Sequence, residues 1–119
     1  MALIGIIGQD FVFQARFLDA SNTPIAVPDA TIEVFRFDAS TGDRVVLTPS
    51  TVMDPAVPSE TGRYTHVFTV PDTLEDSTAV YAEMSGTDPG SGDLIRLTEE
   101  LVARIDPSSI SLGLTTRFF

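Results

Sequence analysis

The chain has no cysteine, no tryptophan and a single histidine, His66, and its 119 residues carry only 7 basic side chains against 17 acidic ones. Without cysteine there is neither a disulfide framework nor a thiolate metal site, so stability has to come from packing, from contacts between subunits, or from both. A formal net charge of −10 repels phosphate backbones and anionic lipid headgroups, which argues against nucleic acid and membrane surfaces as partners. No apolar run approaches the roughly 18 residues needed to span a bilayer. The nearest is residues 1–8, but no basic residue precedes Leu3 and no small-x-small site follows, so the run is expected to belong to the mature protein. A Gly-x-Ser-x-Gly nucleophile elbow is absent, and His66, flanked on its own face by Tyr64 and Phe68, has no nucleophile placed beside it by any motif. His66 is read as a structural or rim residue, and the chain as not an enzyme.

What the sequence does contain is alternation. In residues 62–71 large and polar side chains alternate strictly up to Pro71, the pattern of a half-buried strand that ends where proline can no longer donate to a ladder. Similar runs cover residues 10–18, 31–37, 78–84 and 94–105, separated by turn-forming residues, and predict an all-β antiparallel sandwich. Phe11, Phe13, Ala15 and Phe17 share one face, which is assigned to the core. In residues 31–37, Ile32 and Val34 are expected to point inward, with a bulge reconciling them with Phe35 and Phe37.

The connections are read from turn chemistry. Residues 19–24 form a reverse turn, and 25–29 a short edge segment. Residues 38–43 close a hairpin into a strand at 44–47, and the three prolines between Thr48 and Thr61 predict an irregular crossover in which 51–53 forms at most a short strand. Residues 86–93 make an exposed glycine-rich turn. Glu99 interrupts the apolar face of the last strand and predicts a bulge or an exposed end near Glu99 and Glu100, with a helix over residues 99–105 as the lesser alternative. No internal repeat is apparent.

Acidic residues gather in three loops, at Asp38 and Asp43, at Asp72, Glu75 and Asp76, and at Asp88 and Asp93. None has the ligand density of a calcium loop, so solvated turn acids are expected, with no metal and no cofactor. The glycines at 86, 90 and 92 bridge two strands instead of opening a helix, which removes a phosphate cradle.

Both ends are apolar, and uncovered hydrophobic ends on an acidic body invite association. The reading is a body at 9–106 with an N-terminal arm at 1–8 and a C-terminal arm at 107–119. The arms either fold back as edge strands or pack on neighbouring subunits. For the second case the contact residues are Leu3, Ile4, Ile6, Ile7, Ile110, Leu112, Leu114, Phe118 and Phe119, by strand addition at the N-terminal end and aromatic anchoring at the C-terminal end.

The succession Asp10-Phe11-Val12-Phe13-Gln14-Ala15-Arg16-Phe17, Asn22-Thr23-Pro24-Ile25, Ala30-Thr31-Ile32-Glu33-Val34-Phe35 and Thr61-Gly62-Arg63-Tyr64 resembles the immunoglobulin-like domains of tailed-bacteriophage structural proteins. The disulfide and tryptophan of antibody-type domains have no counterpart here, and no functional residue carries over. The resemblance implies an immunoglobulin-like sandwich and a non-enzymatic virion component. That component is a capsid decoration or cement protein, or a neck or tail part, assembled in the host cytoplasm as a homo-oligomer in contact with other virion proteins. The alternative is a carbohydrate- or cell-surface-binding module with ligand contacts in loops 38–43 and 86–93.

Overall fold

The computed structural model describes residues 3–105, and these form eight strands and no helix. They are β1 (Leu3–Ile6), β2 (Asp10–Arg16), β3 (Thr31–Phe37), β4 (Arg44–Val52), β5 (Asp54–Pro55), β6 (Arg63–Thr69), β7 (Thr78–Thr87) and β8 (Leu94–Arg104). One sheet has the order β1-β8-β7-β3-β4 and the other β2-β6-β5. All pairings are antiparallel except that of β1 with β8, which is parallel.

The two sheets share one core. Phe13, Ala15, Phe17, Phe68 and Val70 from the three-stranded side meet Ile32, Val34, Val80, Ala82, Met84, Leu101 and Ala103 from the five-stranded side, all fully or almost fully buried. Each large apolar side chain so removed from water contributes about 1.5–3 kcal/mol, and none of the core positions is polar or charged. Ile32 and Val34 do point inward, and the register of β3 against β4 shifts on either side of Val34, which is the bulge that two opposed apolar pairs required.

Four expectations are corrected. Strand β4 continues through Pro49 to Val52 instead of breaking after Leu47; as the outer strand of its sheet it tolerates a residue with no N–H to donate. Residues 25–29 form no strand, and the only pairing in this region is an isolated bridge between Leu18 and Pro24. Instead Val27 is buried as a plug, its N–H donating to the Tyr64 hydroxyl at 3.0 Å. No bulge occurs at Glu99 and Glu100, which pair in unbroken register with Ala82 and Tyr81. Glu99 keeps an inward-facing register where it lines a slot with Leu3 and Phe11.

The fourth correction concerns repeats. Glu33, Asp38, Gly42, Asp43, Leu47 and Thr48 recur at one constant offset as Glu83, Asp88, Gly92, Asp93, Leu97 and Thr98. The two segments are the hairpins β3-β4 and β7-β8, and β3 and β7 lie antiparallel with Glu33 directly opposite Glu83. The identities are sparse because only the turn and a few strand positions constrain the side chain, which hides the likeness of the two hairpins from a reading of periodicity alone.

Candidate interaction surfaces

The flank formed by β1 and β2 is built from the N-terminal residues. Leu3 pairs with Leu101 and Ile6 with Arg104 of the same chain, so β1 is an edge strand of the five-stranded sheet. It lies so close that a Cβ on Gly5 would stand 2.9 Å from the Leu101 side chain. Ile4 remains 63% exposed and Leu3 is partly exposed, while Ile6 and Ile7 are half-buried. A turn at residues 7–9 then carries the chain across to β2, the edge of the other sheet.

On β2 the hydrogen-bonding phase can be read from its end. The Phe17 N–H donates to the Gly62 carbonyl at 2.8 Å, and Gln9 accepts from the Val70 N–H at 2.9 Å. Odd-numbered residues therefore pair with β6, and the backbone groups of Val12, Gln14 and Arg16 face the other way. Among the described residues no strand pairs with that side. Beneath it, between the two sheets, lies a slot of about 240 Å³ lined by Leu3, Phe11, Val12, Phe13, Gln14 and Glu99.

A second apolar surface lies on the outer face of the five-stranded sheet. Phe35, Phe37 and Tyr81 form a cluster with ring centroids 5.6–5.9 Å apart. The Arg44 guanidinium sits 3.6 Å above the Phe35 ring and pairs with Glu33. Glu100, directly opposite Tyr81 on β8, raises the Tyr81 pKa above the ordinary value. Phe37 and Val46 are left about half exposed. The sequence had shown Phe35 and Phe37 opposite the core pair of β3, but gave no sign that Tyr81 and Val46 would join them from neighbouring strands.

The hairpin loops have matching geometry at opposite ends of the sheet. Asp38 donates its N–H to the Asp43 carbonyl and accepts from Gly42, and Asp88 does the same with Asp93 and Gly92; both glycines have φ of 77°. The Asp38 carboxylate accepts the Ser40 hydroxyl and the N–H groups of Ser40 and Thr41, which lowers its pKa to about 2. Asp29 is held below its usual value chiefly by the Thr87 N–H and hydroxyl, and Asp76 chiefly by the Ile105 N–H.

Beside loop 38–43, where the three-stranded sheet no longer covers β4, is a cavity of about 500 Å³. Arg36, Asp38, Glu75 and Thr78 line it along with Leu47 and Leu74, and Phe37 stands at its wall. His66 is half-buried on the inward face of β6, opposite Phe13. Among the described residues no group of three or more His, Cys, Asp or Glu side chains could hold a metal ion. Ile110, Leu112, Leu114, Phe118 and Phe119, with the rest of the arm at 107–119, lie outside the described residues.

Compared with family models, with curated proteins and with solved structures, the chain gives no match.

Proposed function

We propose that the chain is an immunoglobulin-like, non-enzymatic structural protein of a tailed-bacteriophage virion, a capsid decoration or cement protein that stabilises the particle through protein–protein contacts. The finer fold reading is supported by strand order. A five-stranded sheet whose first strand runs parallel to the last, facing a smaller sheet of the second, fifth and sixth strands, is the layout expected when the edge strand of an immunoglobulin-like domain joins the sheet of its last strand. The virion assignment rests on the resemblance of residues 10–17, 22–25, 30–35 and 61–64 to phage structural domains.

The observation that carries the adhesive role is the amount of apolar surface left on an acidic body. Ile4, Val12, Phe37, Val46, Val52, Val67 and Leu94 are each more than two-fifths exposed. Symmetric display of many copies turns individually weak contacts into firm attachment, so each copy need bury only a modest patch. The partners are other virion proteins and further copies of this chain.

A second reading, a carbohydrate- or cell-surface-binding module, is favoured by the cavity beside loop 38–43. Its polar groups, with Phe37 at the wall, suit a hydroxyl-rich ligand.

The test is to add purified chain to particles assembled without it. Co-sedimentation at a stoichiometry set by the lattice, with a higher temperature of genome release, is the expected result. Failure to co-sediment, together with saturable glycan binding that Phe37→Ala abolishes, would replace the first reading with the second.

A further inference from the structure

We propose that the free edge of β2 and the apolar slot beneath it accept residues 110–114 of a second copy of the chain as an added strand. The proposal rests on the adhesive reading and gives it an acceptor site. Three observations converge on it.

First, the acceptor is built for a strand. The outward backbone groups of Val12, Gln14 and Arg16 have no partner strand among the described residues, and an unpaired edge is a template for another chain. The slot beside them supplies Leu3, Phe11 and Phe13 for the alternate side chains that an added strand turns inward.

Second, the donor has the matching pattern. Ile110, Leu112 and Leu114 alternate with Ser111, Gly113 and Thr115, giving one apolar and one small or polar face. Residues 107–119 carry Arg117 and no carboxylate side chain, whereas Glu99 is the charged residue lining the slot and the whole chain has a net charge of −10. The donor is thus the part of this acidic chain that an acidic neighbour repels least.

Third, the direction favours a neighbour over the chain's own segment. Strand β8 runs parallel to β1, and β1 turns back at residues 7–9 into β2, so β8 and β2 run in opposite directions. A chain leaving β8 at Ile105 and returning along its own β2 would run parallel to it. Parallel pairing is slightly less stable per residue than antiparallel pairing. A second copy approaches without this restriction and in either direction. The contact is heterologous, donor on one copy and acceptor on the next, so it generates rings or open arrays.

The experiment uses two full-length variants. Gln14→Pro removes an outward-facing N–H without touching the β2-β6 ladder, which spoils the acceptor and leaves the donor. Leu112→Asp spoils the donor and leaves the acceptor. Circular dichroism and thermal melting establish that both are folded, and Val12→Pro replaces Gln14→Pro should the latter fail. Multi-angle light scattering is expected to give oligomers for the unmodified chain, monomers for each variant alone, and a one-to-one dimer when the two variants are mixed, since each mixture pair has one working donor and one working acceptor. A monomeric unmodified chain, variants that assemble as it does, or a mixture that stays monomeric would each overturn the proposal. Because the assay contains no particles, such a failure beside retained co-sedimentation would sink this site alone, whereas loss of co-sedimentation by the unmodified chain would sink the virion reading.

Discussion

Gly62 shows how closely a single residue can be held. It has φ of 79°, its carbonyl accepts the Phe17 N–H, and a Cβ placed on it would stand 2.7 Å from the Phe17 carbonyl oxygen and 3.0 Å from that of Ile25. Both neighbours are backbone and cannot swing aside. Gly42 has nearly the same φ but nothing within 4 Å of such a Cβ. The pair separates conformational strain from collision. Gly42→Ala is expected to cost about 1–2 kcal/mol from the left-handed conformation alone, and Gly62→Ala about 2–4 kcal/mol once crowding against fixed backbone is added. Urea denaturation of the two variants beside the parent measures both, and equal losses would mean that the approach to Phe17 and Ile25 relaxes freely. Tyr64, two residues on, belongs to the same junction: its hydroxyl accepts the Val27 N–H and fixes the plug that fills the space above Gly86, whose Cβ would stand 2.8 Å from Val27 Cγ2.

Among elements, the two like hairpins make the clearest statement. Asp-Ala-Ser-Thr-Gly-Asp at 38–43 and Asp-Pro-Gly-Ser-Gly-Asp at 88–93 differ at three positions yet form the same backbone hydrogen bonds, and both keep the two aspartates, the glycine before the second of them, and a hydroxyl at 41 and 91 that accepts the N–H of Asp43 and Asp93. Replacing residues 38–43 by the sequence of 88–93 is expected to change stability by no more than about 1 kcal/mol, the worth of the lost Ser40 hydroxyl contact to Asp38. A larger loss on thermal melting would show that the loops are held by their surroundings. This element-level view also explains what the sequence disclosed. Strands with strict alternation, such as β2 and β6, were legible to within two residues because a one-residue slip would expose Phe13 and Phe68. The bulge in β3 was legible for the same reason. Strand β4 past Pro49 and the regular pairing of Glu99 were not, because the first depends on β4 being the outer strand of its sheet and the second on the slot that Glu99 lines, both properties of the assembled sheets. The contact surfaces divide likewise: Ile4 and Leu3 could be named from hydrophobicity, but the slot joins β1, β2 and β8, and the aromatic face joins β3, β4 and β7.

At the scale of the whole molecule, charge decides two behaviours. Asp29, Asp38 and Asp76 tie loops to strands or close a turn, and all three have their pKa lowered on folding by hydrogen bonds to the ionised form. A depressed carboxylate pKa stabilises the fold above its unfolded value near 3.8 and stops doing so as pH falls through the folded value, about 2 for Asp38. The difference in melting temperature between the parent and Asp38→Asn is therefore expected to be full at pH 5, to shrink from about pH 4 downward and to vanish only below about pH 2; a difference that grows on acidification would contradict the sign. Asp29 and Asp76 are exposed and Asp38 is only half-buried, so the effect on melting is small and weakened by salt. Association responds to salt the other way. Two copies approach with a net charge of −10 each, and this repulsion outweighs the attraction of Arg117 for one carboxylate at the slot. Raising ionic strength from about 0.01 M to 0.15 M shortens the screening length from about 30 Å to about 8 Å, which relieves repulsion between bodies but leaves apolar burial and backbone pairing at β2 almost untouched. Self-association by sedimentation velocity is thus expected to strengthen with added salt and to be lost in Leu112→Asp at every salt concentration. Association that weakens with salt would mean that ion pairs, and not an apolar strand, hold the copies together.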